Sequence, residues 1–245
     1  MQLRCSFLLT AIMPMVAALC VPVAAASIAD HVVISEVEIA NEEWVELYNP
    51  TDAAVDMSSW YWCYYESAAN WNQTSKKRAF TGRADDFVIE PHTCYLMRID
   101  GTVPNADWDA GYVAPANTLD NSTGSVAIFP WDPSEKTEEE AEAGRIDAVA
   151  WGTVSYVKEG TEAPAPGSGL SLQRRVSETV TFDGVHGPGW DTDINAADFF
   201  VATPDPRHDD LAPVPPIPEL APLILFAIGL CTLAGYMLIA RRRVR

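Results

Sequence analysis

Apolar and polar residues alternate with a period of two along most of this chain, in short runs separated by turn formers. Residues 31–39 place Val33, Val37 and Ile39 on one face of a strand and Glu36 and Glu38 on the other. Residues 44–49 set Val45 and Leu47 against Glu46, and Asn49-Pro50-Thr51-Asp52 then reads as a turn. An aromatic strand is predicted over 60–65. Further short strands are predicted over 87–89, 93–99, 125–129, 146–151, 170–174 and 179–182. No stretch of helical periodicity long enough for a substantial helix stands out between residues 27 and 206. Short strands at this spacing predict an all-β, antiparallel sandwich of immunoglobulin-like type. Two stretches read as insertions: 67–86, which is polar and mixed, and 132–144, a solvated acidic loop or hairpin tip.

The pattern breaks at both ends. At the start, Arg4 precedes an apolar run from Phe7 to Val23 that ends in Ala24-Ala25-Ala26, the text of a secretory signal peptide over residues 1–26. At the other end, residues 207–219 are rich in proline and predict an extended stalk. Residues 220–240 then form an apolar run of about 20, the length that crosses a bilayer, and Arg241-Arg242-Arg243-Val244-Arg245 marks the cytoplasmic side. The domain over 27–206 is therefore expected outside the cell, on the outer face of the membrane and tethered by its C-terminus.

Charge and cysteine content sharpen this picture. The net charge is −18. All the acidic residues lie between Asp30 and Glu219, while five of the 16 basic ones lie in the two terminal segments, so the central domain is more acidic still. Such a surface repels nucleic acid and suits cations, basic partners or solubility in salt. Of the five cysteines, only Cys63 and Cys94 fall outside the terminal segments. An exported compartment permits a disulfide between them, closing a loop of about 30 residues worth roughly 3 kcal/mol; the alternative is a pair of buried thiols. Asn72-Gln73-Thr74 and Asn121-Ser122-Thr123 are glycosylation sequons.

The ordered strand texts carry a family resemblance. Ile34-Ser35-Glu36-Val37, then Glu43 to Thr51 (EWVELYNPT), then Val55 to Trp60 (VDMSSW) resemble the opening of the lamin-tail domain family. Phe87 to Leu96, Arg145 to Gly152, Gly169 to Arg175, and Asp191 to Phe200 with the following Ala202-Thr203-Pro204 are similar, in the same order, to its later segments. The resemblance spans residues 31 to 206. It implies an immunoglobulin-like sandwich serving as a binding or structural module without catalytic machinery. The long loops at 67–86 and 132–144 and the two cysteines depart from the family's simplest pattern. The tail resembles a second family: Pro218-Glu219 before an apolar helix and an arginine cluster is similar to PEP-CTERM-type sorting signals, although Leu220 stands where proline or phenylalanine is usual. This implies an exosortase- or archaeosortase-like membrane protease as a partner.

Chemistry is harder to find. His31, His92, His186 and His208 form no zinc pattern, and nucleophile-elbow, phosphate-loop and dinucleotide texts are missing. The expectation is a non-enzymatic surface module for adhesion, envelope organisation or partner binding, with no catalytic residue and no required cofactor. Two alternatives carry named residues. Trp60, Trp62 and Trp71 are candidates for stacking on a surface glycan. Asp191, Asp193, Asn195 and Asp198 are candidate ligands for Ca²⁺, although Ala196 and Ala202 stand where a calcium loop wants Gly and Glu; the competing role for this segment is capping a turn.

Overall fold

The computed structural model describes residues 28–40, 42–81, 87–110, 119–178 and 187–206. The predicted signal peptide, the strand over 179–182, the stalk, the membrane span, Pro218 and Glu219, and His186 and His208 lie outside these residues. Among the described residues no helix is long and apolar enough to cross a membrane.

Twelve strands form along the described chain: β1 (Val33–Glu38), β2 (Trp44–Tyr48), β3 (Val55–Asp56), β4 (Tyr61–Tyr65), β5 (Lys76–Ala79), β6 (Val88–Ile89), β7 (Cys94–Arg98), β8 (Trp108–Asp109), β9 (Gly124–Phe129), β10 (Asp147–Trp151), β11 (Ser171–Arg174) and β12 (Phe199–Ala202). Two short helices accompany them, α1 (Glu138–Gly144) and α2 (Asn195–Asp198). The strands make a six-stranded sheet in the order β12-β11-β1-β2-β7-β8, a four-stranded sheet in the order β10-β9-β4-β5, and a two-stranded ribbon of β3 and β6. The pairs are antiparallel apart from β7 with β8.

The two larger sheets pack face to face, which makes the protein an all-β sandwich. Ile34, Val37, Val45, Leu47, Met97 and Leu172 from one sheet meet Trp62, Tyr64, Val126, Ile128, Val149 and Trp151 from the other in one buried core. Alternation predicted most of these positions, but β1 differs. Its register against β2 shifts between Ile34 and Glu36. A bulge of this kind adds one residue and turns the strand over. Ile34 therefore joins Val37 and Ile39 in the main core, while Val33 sits with Tyr48 and Cys94 in a cluster on the sheet's opposite face. On the polar face Glu36 and Glu46 are buried rather than solvent-facing. Ser35 Oγ donates to Glu46 Oε1 at 2.6 Å and Ser171 Oγ to Glu36 Oε1 at 2.5 Å.

The stretches read as insertions have structure of their own. Residues 76–79 form β5, an edge strand beside β4. The acidic stretch becomes a 3-10 turn and α1, started by a capping box: Glu140 N–H donates to Thr137 Oγ1, and Thr137 N–H to Glu140 Oε2. The Thr-x-x-Glu spacing carried that signal in the sequence. These pieces cover the outer face of the four-stranded sheet. There Cys63, Tyr65, Ala127, Phe129 and Ala148 pack against Trp71, Ala141 and Val157 in a second small core.

This layering separates the two cysteines and corrects the predicted disulfide. Cys63, on β4, belongs to the outer core of the four-stranded sheet; Cys94, on β7, belongs to the cluster on the outer face of the other sheet. Both are buried thiols, and their sulfurs are not joined. The main core lies between them, and a face-to-face sandwich is about 10 Å thick there, whereas a disulfide needs Cα atoms within about 7 Å. Burial lifts the Cys63 thiol far above the usual thiol range, so it stays protonated and inert. We expect protein denatured without reductant to take up an alkylating label at both Cys63 and Cys94, read by peptide mass. Recovery of the two peptides as a cross-linked pair is the contrary result.

Candidate functional site

The most concentrated chemistry in the described residues lies where the two sheets meet, around Arg174. Arg174 closes β11 and is two positions past Leu172, a core residue, so the strand's period places its side chain inside. Asp147 opens β10 and shares a face with Val149 and Trp151, also core residues. Their side chains are 0% and 1% exposed. A buried guanidinium is tolerated only with its donors satisfied and its charge countered. Arg174 Nη2 donates to Asp147 Oδ1 at 2.9 Å and Oδ2 at 2.7 Å. Its Nε donates to Ile34 O at 2.8 Å and its Nη1 to Trp190 O at 3.0 Å, and Nη1 lies 3.3 Å from Asp191 Oδ1. The guanidinium carbon stands 4.6 Å over the Phe199 ring, an arrangement that adds cation–π attraction. Asp147 in turn accepts the N–H of Ile34 at 2.5 Å and of Ala148 at 2.8 Å. The backbone of Ile34, at the bulge of β1, is thus held by both partners of the ion pair.

Around this pair sits a wider set of charges. Asp147, Glu159 and Asp191 bring carboxylate oxygens within 4.8 Å of one another. Arg145 Nε donates to Glu159 Oε1 at 2.9 Å and its Nη2 to Asp193 Oδ1 at 3.0 Å. His31 Nε2 lies 3.5 Å from Asp191 Oδ2. Burial, the larger influence, raises the Asp147 carboxyl above the usual carboxylate range against the pull of Arg174; the four bonds from Arg174, Ile34 and Ala148 favour its ionised form. Burial, reinforced by the Asp147 charge, pushes Glu159 up to about 9 against the opposing pull of Arg174 and Arg145. The folded chain then binds this proton more tightly than the unfolded chain does. The stability linked to it is complete below the ordinary glutamate range and is lost as pH rises towards 9.

Three close carboxylates raise the question of a metal. The arrangement does not fit one: Arg174 supplies positive charge to Asp147 and Asp191, and both oxygens of Asp147 already accept bonds. A hard cation wants those oxygens for itself and gains nothing from a guanidinium among its ligands.

The Ca²⁺ reading of Asp191, Asp193, Asn195 and Asp198 is corrected for a similar reason, because the four side chains serve separate partners. Asp191 faces Arg174 and His31. Asp193 adopts a left-handed backbone (φ 54°) and reaches Arg145. Asn195, fully buried, accepts the N–H of Ala150 and of Glu159 and donates to Ala148 O at 2.8 Å. Asp198 accepts from Thr192 N and Oγ1 and from Ile194 N. These are turn-capping and loop-docking bonds.

The glycan-stacking reading is corrected by burial. Trp62 and Trp71 are 0% and 2% exposed, and Trp60 packs half-buried against the main core. Trp62 points between the sheets. Trp71 lies on the outer face under Arg145, whose guanidinium carbon is 5.4 Å from its ring. The sequons differ in setting: Asn72 donates its amide to Lys136 O at 3.1 Å, whereas Asn121 is exposed on a turn held by Asp120. Asn121 rims an open polar groove lined by Tyr64, Glu66, Lys76 and residues 119–122. The Ser122 hydroxyl and N–H hold the Asp120 carboxyl below the usual range.

No family model and no curated protein matches the chain. Among solved structures, a DUF4876 family protein from Bacteroides thetaiotaomicron is similar in fold, with a TM-score of 0.51 and 14% identity over 78% of this chain and 75% of that one. At this identity the likeness bears on the fold alone.

Neither Arg174 nor Asp147 is among the residues singled out from the sequence, yet each sits two places from a core residue in a strand. A charged residue on an apolar face was the available signal, and its pairing across 27 positions was not. Arg174→Met should cost about 3–5 kcal/mol, the usual effect of leaving one buried charge alone. Joint replacement with Asp147→Leu should recover most of that loss. Urea midpoints of the two variants provide the check, and equal destabilisation by both would contradict the pairing.

Proposed function

We propose that this chain is a cell-surface, non-enzymatic binding or structural module: an immunoglobulin-like sandwich of lamin-tail type, exported through its N-terminal segment and held at the membrane by its C-terminal one. The observation that carries the reading is how the domain ends. Gln173 Nε2 donates to Thr203 O at 2.7 Å, and Asp205 N donates to Glu36 Oε1 at 3.0 Å. The last described residues are thus fastened across β11 and β1 immediately before the proline-rich stretch that leads to the apolar run. A tether pulling there would load the edge strand β12 together with its inner neighbours β11 and β1. A rigid sandwich with a reinforced exit suits display on a stalk.

The buried polar and charged residues support the same reading, because Arg174, Asp147, Arg145, Asn195 and Asp198 are committed to bonds that hold the sheets and loops. The partner class is a surface protein. An exosortase- or archaeosortase-like protease is the proposed processing partner at Pro218-Glu219. The acidic domain disfavours nucleic acid.

Cell fractionation with intact mass of the native protein tests the proposal. Recovery in the envelope with residues 1–26 removed is expected, and a mass ending near Pro218 would add processing by a sorting protease. Recovery in the cytoplasm with residues 1–26 retained would overturn the proposal.

A further inference from the structure

Residues 152–163 leave β10 and fold over the outer face of the four-stranded sheet. Gly152 N donates to Ala163 O at 3.2 Å and Ala163 N to Ala150 O at 2.8 Å, closing the base of this loop. Ser155 N reaches Ser67 O at 2.8 Å, and Val157 is fully buried in the outer core with Trp71. At its far side the loop is fastened to the first turn of α2: Asn195 N donates to Glu159 O at 2.9 Å, Ala196 N to Thr161 O at 2.8 Å, and Glu159 N to Asn195 Oδ1 at 3.2 Å. Glu159 lies at the meeting point of these contacts and is 4% exposed.

The charges facing Glu159 come from every element packed there. Asp147 projects from β10, Arg174 from β11, Arg145 from the residue that follows α1 and Asp191 from the turn before α2; behind these, Asp193 pairs with Arg145, Asp198 acts on Arg174 from α2, and His31, from the chain before β1, lies against Asp191. Two guanidinium groups serve four close carboxyls. Arg174 is taken by Asp147 and Asp191, and Arg145 divides between Glu159 and Asp193. Asp193 is 77% exposed at its side chain, where water solvates its charge. Asp147 has four donors that favour its carboxylate form. Glu159 is the buried member left with half a cation at Oε1, one long 3.4 Å contact from Asn195 Nδ2 at Oε2 and a carboxylate neighbour, so it is the one that keeps a proton.

We propose that the protonated Glu159 carboxyl is the bolt of a pH-gated latch, which holds residues 152–163 down on the outer core and releases them as the medium becomes alkaline. In the neutral form Glu159 Oε1 still accepts from Arg145, and the loop stays docked. Loss of the proton places a second buried negative charge beside Asp147. Moving the loop outward relieves it by letting water reach the carboxylate. The opening breaks the Asn195 bonds to the loop and uncovers Val157 and Trp71, while the Arg174–Asp147 pair and both sheets stay in place. The raised affinity for the proton, up to about 9, sets the range in which this happens.

Hydrogen exchange of the full chain, corrected for intrinsic rates and followed by peptide from pH 6 to 10, tests the latch. Protection over residues 154–161 should fall at least ten-fold across the upper part of that range, while β9 and β10 keep theirs. Glu159→Gln, a neutral isostere, should hold the loop protected at every pH. Unchanged protection in the wild-type chain, or an equal loss in Glu159→Gln, would overturn the proposal. If that variant fails to fold, carboxyl ¹³C titration of the wild-type protein decides: one glutamate should titrate above pH 7, and titration of every glutamate in the ordinary acidic range would sink the idea.

Discussion

A guanidinium buried between two β-sheets needs a fixed negative partner, and in this protein that requirement organises the architecture. Arg174 ends a strand of the six-stranded sheet, and Asp147 begins a strand of the four-stranded one. Apolar packing between the sheets tolerates small sliding, because dispersion and burial have little direction. The ion pair does not tolerate it: two bonds between the charged groups, and four more to Ile34, Trp190 and Ala148, set the relative position of β1, β10 and β11. Buried pairs of this kind contribute less to net stability than to a single defined arrangement, and removing one member is costly.

The same centre links the sandwich to its outer layer. Asp191 meets Arg174 from the turn before α2, Asn195 at the start of α2 holds both β10 and the 152–163 loop, and the loop closes over the small core on the far side of the four-stranded sheet. One chain of polar contacts thus runs from the centre to the surface. Its members are tuned by position: burial raises the Asp147 carboxyl against the pull of Arg174, and burial beside Asp147 raises the Glu159 carboxyl.

Much of the fold was legible because period-two alternation is a local property. The strands at 33–38, 44–48, 61–65, 94–98, 124–129, 147–151 and 171–174 all lie within or at the edge of predicted runs. Where the reading differed, a specific device intervened. The bulge in β1 exchanged the roles of Val33 and Ile34. The capping box at Thr137 and Glu140 made a helix of an acidic stretch that looked like a loop. The aromatic strand looked like a binding face because half of its rings should have met solvent; the supposed insertions cover that half.

The sequence by itself determined most of the longer strands, the turn at Asn49-Pro50, the apolar text at both ends and the acidic balance, since each depends on residues near one another in the chain. Only the tertiary structure decided which polar residues matter. Cys63 and Cys94 each lie in a predicted strand but on opposite outer faces of the sandwich. Arg174 and Asp147 are distant in sequence and touch. The four residues of the calcium-like text are close in sequence and serve different partners. Sheet order governs all three cases, and it depends on long-range pairing whose free energy no local segment contains.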